Sequence, residues 1–192
     1  MKTIFIVPGF TDKIERNPKY TWLVKFLKKR WYKVIETPVK WKKRTITDYV
    51  SDFKKFYEVN KGKENYILGF SYGAVITFIS ASELKPKKIF LCSLSPDFKE
   101  DVKYMKPWII KYIGKRRFED AKTRSAVKIA KSLSMPSVVF YGEREGKVYP
   151  DLKARAEETV KLAKKSKLVV VPKAPHDISF FSYKAAIIKE FV

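Results

Sequence analysis

Apolar runs of strand length alternate along the chain with longer stretches whose apolar positions recur every three or four residues. The runs are Lys2 to Val7, Lys33 to Val39, Tyr66 to Leu68, Lys88 to Ser93, Ser137 to Tyr141 and Leu168 to Val171. Between the first two, Tyr20 to Trp31 carries Leu23, Phe26 and Leu27 at helical spacing with lysines between, which predicts an amphipathic helix laid on a sheet. From Thr47 to Asn60, Val50, Phe53 and Tyr57 share one face. Thr47 is the expected N-cap there, with Asp48 near the positive end of the helix dipole and Gly62 after the close. Further helices are expected behind Ser71 up to Pro86 and over Phe118 to Leu133, Asp151 to Lys165 and Ile178 to Val192.

Six strands alternating with helices imply an α/β fold, a three-layer α/β/α sandwich around a mostly parallel six-stranded sheet. Strands buried on both faces are continuously apolar, as these runs are. In such sheets the active groups gather at the carboxyl ends of the strands. No repeat or low-complexity linker divides the chain, so residues 1–192 are expected to form one domain. Phe98 to Arg117 is the irregular stretch, with Tyr104, Met105, Trp108, Ile109, Ile110 and Tyr112 crowded among basic residues around Pro107. It is expected to form a small cap.

Composition narrows the class. With 45% hydrophobic and 15% aromatic residues among 192, the chain can bury a core and is not of the disordered type. No apolar stretch approaches the roughly 20 residues of a membrane span, and the first apolar run is too short for a secretory signal. The lone Cys92 lies in an apolar strand, which suits a buried, inert thiol in a reducing cytoplasm. The net charge of +22, from 42 Lys and Arg against 20 Asp and Glu, implies a strong positive potential. One reading is attraction to nucleic acid or anionic membranes. The lysines recur along every expected helix, as in Lys25 to Arg30 and Lys161 to Lys165, and no nucleic-acid motif accompanies them, so a lysine-solvated surface is the favoured reading.

The candidate chemistry centres on Gly69-Phe70-Ser71-Tyr72-Gly73, between an apolar strand and an apolar helix. This is the G-x-S-x-G nucleophile elbow: glycines two residues either side of the serine remove Cβ atoms that would clash in so sharp a turn. A serine hydroxyl needs a base and a group to orient that base. His176 is the chain's only histidine and follows the sixth strand in VVVPKAPHD. The acid is expected after the fifth strand, in YGEREGKVYPD, from the chain order Ser, acid, His. Among Glu143, Glu145 and Asp151, Glu145 is the choice because it stands three residues beyond Gly142. Asp97, at the end of the fourth strand, is the rival, and Asp177 adjoins the histidine too closely. For the negative oxygen of an acyl-transfer intermediate, the N–H of Tyr72 and that of Phe10, or of Thr11, are the candidate oxyanion donors. Trp108, Tyr104 and Met105 are candidate acyl-pocket residues.

Four features together, GFSYG at 69–73, PGF at 8–10, GERE at 142–145 and PHD at 175–177, make the chain resemble a small α/β-hydrolase with a minimal cap over essentially its whole length. Members of that superfamily commonly have Asp where Glu145 stands and often Gly where Pro175 stands. The resemblance implies ester, thioester or amide hydrolysis through an acyl-enzyme, without metal or organic cofactor. Small carboxylic esters are the expected substrates, with a thioesterase or amidase of the same mechanism as the alternative. A scaffold with an idle site, binding nucleic acid or anionic membrane through its basic surface, is the alternative of another class.

Overall fold

The structure, a computed structural model, describes residues 1–10 and 17–191. Thr11, the alternative oxyanion donor, and Val192, the expected end of the last helix, lie outside the described residues. Six strands, β1 (Lys2–Val7), β2 (Tyr32–Glu36), β3 (Glu64–Phe70), β4 (Lys88–Cys92), β5 (Ser137–Gly142) and β6 (Ser166–Val171), form one sheet in the order β2-β1-β3-β4-β5-β6. All neighbours are parallel. Along β1, Phe5 and Val7 enter one apolar core and Ile4 and Ile6 the other, the period-2 alternation of a strand buried on both faces. The edge strands β2 and β6 are only partly covered, and Val170 is 45% exposed. Continuous apolar runs therefore mean double burial only for the inner strands.

Helices α1 (Pro18–Lys29) and α9 (Phe181–Lys189) pack on one face, burying Leu23, Leu27, Tyr183 and Ile187. The other face is covered by α2 (Ile46–Asn60), α3 (Tyr72–Leu84), α6 (Ala126–Ser132) and α8 (Pro150–Leu162). Helix α3 is apolar almost all round because it sits centrally, with Ala74, Val75, Ile76 and Phe78 fully buried. Thr45, not Thr47, caps α2. The Thr45 N–H donates to Asp48 Oδ2 at 2.7 Å while the Thr45 hydroxyl accepts from the Asp48 N–H, a reciprocal arrangement that needs an acid three residues on. Thr47 instead donates through its N–H and its hydroxyl to the Asp120 carboxylate, both at 2.7 Å.

The single helix expected over 118–133 is two, α5 (Lys115–Ala121) and α6. Between them the Arg124 carbonyl accepts from the Lys99 N–H at 2.9 Å, and the Ser125 hydroxyl accepts from Lys128 N to start α6. The stretch at 98–117 holds a short 3-10 turn at Val102–Tyr104 and α4 (Pro107–Ile113), joined to α5 by Gly114 at φ +86°. A short helix not expected from the sequence, α7 (Glu143–Val148), follows β5 directly. Among the described residues no helix is long and apolar enough to cross a membrane.

Candidate active site

The site is built where the sheet order changes direction. From β1 the chain first moves outward to β2 and then returns to pair β3 on the other side, and the loops leaving β1 and β3 diverge there to open a crevice. Val7 pairs Gly69 and Phe70 pairs Cys92, so the ends of β1, β3 and β4 are level. Ser71 stands between β3 and α3 at φ 54°, a strained left-handed conformation for a residue with a Cβ. Two glycines permit the turn. A Cβ on Gly69 would lie 2.3 Å from the Gly73 carbonyl oxygen, and one on Gly73 would lie 2.2 Å from that of Val7. The elbow is thus clamped against the end of β1, and the Ser71 N–H donates to the Cys92 carbonyl at 2.8 Å.

Ser71 Oγ lies 2.9 Å from His176 Nε2. His176 Nδ1 is hydrogen-bonded to Glu145 Oε1. The Glu145 side chain is fully buried and held on its other oxygen by the Gly142 N–H at 2.7 Å and the Ser93 hydroxyl at 3.0 Å. With the Ser93 hydroxyl donating to the carboxylate, its oxygen accepts from the Tyr183 hydroxyl, 2.8 Å away. A hydrogen-bonded line therefore runs from Tyr183 through Ser93, Glu145 and His176 to Ser71, joining α9, the residue after β4, α7, the loop after β6 and the elbow. The Phe70 ring lies 5.0 Å from the His176 ring, centroid to centroid, limiting its swing. Ser93 and Tyr183 escaped the sequence reading: each is an ordinary hydroxyl at the edge of an apolar stretch, and they meet across 90 residues.

The N–H of Tyr72 lies in the first turn of α3, where helical geometry leaves donors unpaired. Among the described residues no group accepts from it or from the N–H of Phe10. The Gly9 N–H is held by the buried Tyr20 hydroxyl at 2.8 Å, which fixes the loop carrying Phe10. The Phe10 ring packs 5.4 Å from the rings of Tyr72, Trp41 and Tyr112.

Ser71 and His176 open on a cavity of about 410 Å³, within the usual range for small-molecule sites. Phe10, Trp108, Ile109, Tyr112 and Tyr149 give it apolar walls, and Met105 lines it as well. Tyr104 does not. It is 57% exposed, with the Lys103 ammonium 4.8 Å over its ring. Asp97 also lines the cavity, but Glu145 and not Asp97 meets His176. Burial, with the neighbouring Asp101 charge, pushes the Asp97 pKa up to about 7. Cys92 is fully buried beneath the elbow. Among the described residues no group of three or more His, Cys, Asp and Glu is placed to hold a metal ion.

No family model and no curated protein sequence matches the chain. Solved structures do. Est1E from Butyrivibrio proteoclasticus, in a structure with ferulic acid bound, aligns with 100% of this chain and 88% of its own at 16% identity and a TM-score of 0.78. A lipase-esterase related protein from Clostridium acetobutylicum aligns over 100% of this chain and 94% of its own at 16% identity, TM-score 0.71. An esterase from Pyrococcus furiosus is 20% identical over 99% of this chain and 80% of its own, TM-score 0.66. At such identities the likeness speaks for architecture, and with the parallel sheet and the elbow between β3 and α3 it gives this chain the α/β-hydrolase fold.

Proposed function

We propose that the protein is a serine hydrolase acting on carboxylic esters of small acyl groups. The observation that carries this reading is the 2.9 Å contact of His176 Nε2 with the Ser71 hydroxyl at the mouth of the cavity. Glu145 holds His176 in the tautomer with the proton on Nδ1, so Nε2 is free to take the Ser71 proton. Ser71 Oγ attacks the acyl carbonyl, and the resulting oxyanion is met by the N–H groups of Tyr72 and Phe10, donors in place before the charge develops. His176 then gives its proton to the departing alcohol, leaving an acyl-enzyme. Water, deprotonated by the same nitrogen, releases the acid.

The solved likenesses support an esterase: two of the three carry that word in their descriptions, and Est1E is described with ferulic acid, a carboxylic acid, bound. The apolar walls at Trp108, Met105 and Ile109 suit the acyl group. Thioesters and amides undergo the same steps with a different leaving group. Labelling with a fluorophosphonate probe tests the reading. Wild type should label, and Ser71→Ala and His176→Ala should not; an unlabelled wild type overturns it.

A further inference from the structure

Asp97 is 4% exposed in the wall of the cavity. Among the described residues no group donates a hydrogen bond to its carboxylate or forms an ion pair with it. Its neighbour in the same loop is treated differently. Asp101 is gripped by Arg155 through Nε at 3.1 Å and Nη2 at 2.5 Å, and by the Phe98 N–H at 3.2 Å. The remaining face of Arg155 goes to Glu158 at 2.5 Å, so Arg155 has no donor left for Asp97. A carboxylate withdrawn from water without donors is costly and uncommon. Here it faces the one space a ligand would fill beside Ser71.

Its position relative to the reacting atoms is set by two contacts. Ser95 Oγ lies 3.4 Å from Ser71 Oγ, and the Asp97 N–H donates to the Ser95 carbonyl at 3.0 Å. Two residues span at most about 7 Å, so the carboxylate is a short reach from the scissile carbonyl. Behind the same wall the Tyr72 hydroxyl is buried and without a hydrogen-bond partner among the described residues, and Asp97 is the leading charge on it. The apolar lining at Met105 and Ile109 offers nothing that would satisfy either group.

We propose that Asp97 is the acceptor of a substrate subsite and selects esters carrying a hydrogen-bond donor, a hydroxyl or an ammonium, a few bonds from the scissile carbonyl. The inference rests on the reading of Ser71 as the nucleophile. Asp97 makes no bond to the reacting atoms; it fixes which substrates present their carbonyl to Ser71. Its raised pKa accords with a carboxyl that gains its donor only on binding.

The test compares p-nitrophenyl phenylacetate with its ring-hydroxymethyl and ring-aminomethyl derivatives, meta and para, and propyl phenylacetate with the 1,3-propanediol monoester. These place the donor on the acyl or the alcohol side and separate hydroxyl from ammonium. Wild type should favour at least one donor-bearing ester over its parent by about ten- to a hundredfold in kcat/KM, the range for a hydrogen bond to a charged group. Asp97→Leu should bring that ratio to about one. Asp97→Asn should abolish an ammonium preference and reduce a hydroxyl preference, and it serves if the leucine variant fails to fold. Turnover of the parents with no donor preference, or a preference unchanged in both variants, overturns the subsite and leaves the esterase reading intact. If no ester is turned over, the esterase reading fails. Calorimetric titration of the matching phenylacetamides then decides the subsite: a donor preference lost in the variants supports it, and none overturns it.

Discussion

The Ala174 carbonyl lies so close over Gly142 that a Cβ there would come within 2.3 Å of the Ala174 oxygen. The same oxygen accepts from the N–H groups of Arg144 at 3.1 Å and Glu145 at 3.3 Å. This contact fastens the turn bearing Glu145 to the loop bearing His176, two residues beyond Ala174. Glycine is required for space, since Gly142 has an ordinary φ of −79°.

Gly142→Ala should therefore separate Glu145 from His176. We expect a stability loss of about 1–3 kcal/mol from overpacking and a fall in kcat of at least tenfold, because small misplacements of a catalytic group are expensive. Urea unfolding and turnover of a p-nitrophenyl ester check the two halves. Turnover lost only in proportion to the folded fraction would deny the loop contact a positioning role.

The acid itself can be assigned by comparing Glu145→Gln with Asp97→Asn. Glutamine at 145 cannot hold the Nδ1-protonated tautomer electrostatically, and turnover of a short p-nitrophenyl ester should drop by about 10³ to 10⁴. Asp97→Asn should fall far less on the same ester. The opposite ranking would return the role to Asp97.

Ser93 and Tyr183 should act through Glu145. Ser93→Ala leaves one Glu145 oxygen with only the Gly142 N–H, and we expect kcat/KM to fall about tenfold, the worth of a hydrogen bond to a charged group at its lower end. Tyr183→Phe, one step further away, should have a smaller effect. Combining Ser93→Ala with Glu145→Gln should add little, since both act on one carboxylate. Full additivity would place Ser93 outside this line.

Legibility of the chain follows the range of the interaction. The elbow is legible because its steric demands fall on Gly69 and Gly73, within two residues of Ser71. The level strand ends follow from the parallel topology that alternating elements impose. Thr45 was legible too: Asp48 three residues later is the capping-box signal, and Thr47 lacks an acid at that spacing. The choice of Glu145 over Asp97 was legible as a spacing, three residues beyond Gly142, and Glu145 is the carboxylate that meets His176; the short helix α7 that turns it there was not. Nor was the outward turn of Tyr104, since spacing does not reveal which side of a 3-10 turn faces a cavity. The line through Ser93 and Tyr183 depends on α9 bringing Tyr183 beside the end of β4, a contact no local pattern encodes.

Asp97 should make stability fall as pH rises. Its carboxyl moves from 3.8 to about 7 on folding, so the folded chain keeps a proton that the unfolded chain releases. The stability this proton lends is whole below about pH 4 and lost as pH passes 7, on the order of 4 kcal/mol at 1.36 kcal/mol per unit. Asp101, also raised by burial, titrates beside it. Asp97→Asn removes the Asp97 share, so in urea the variant's advantage should widen by about 2–3 kcal/mol between pH 5 and pH 8. An equal gap at both values would mean that the carboxylate is solvated in the cavity.

Tyr20 offers a way to probe the proposed oxyanion donors without touching them. Its hydroxyl accepts from the Gly9 N–H, and it sits on α1, packed under the loop that presents Phe10. Tyr20→Phe keeps the ring and its packing but deprives a buried N–H of its acceptor, at a cost of about 1–3 kcal/mol in stability. The released loop should hold the Phe10 N–H less firmly, and on the proposed mechanism that N–H meets the oxyanion. That group matters most in the transition state, so kcat should fall several-fold with KM little changed. A change in KM alone would show that the loop serves ground-state binding, and the second oxyanion donor would then have to be sought elsewhere.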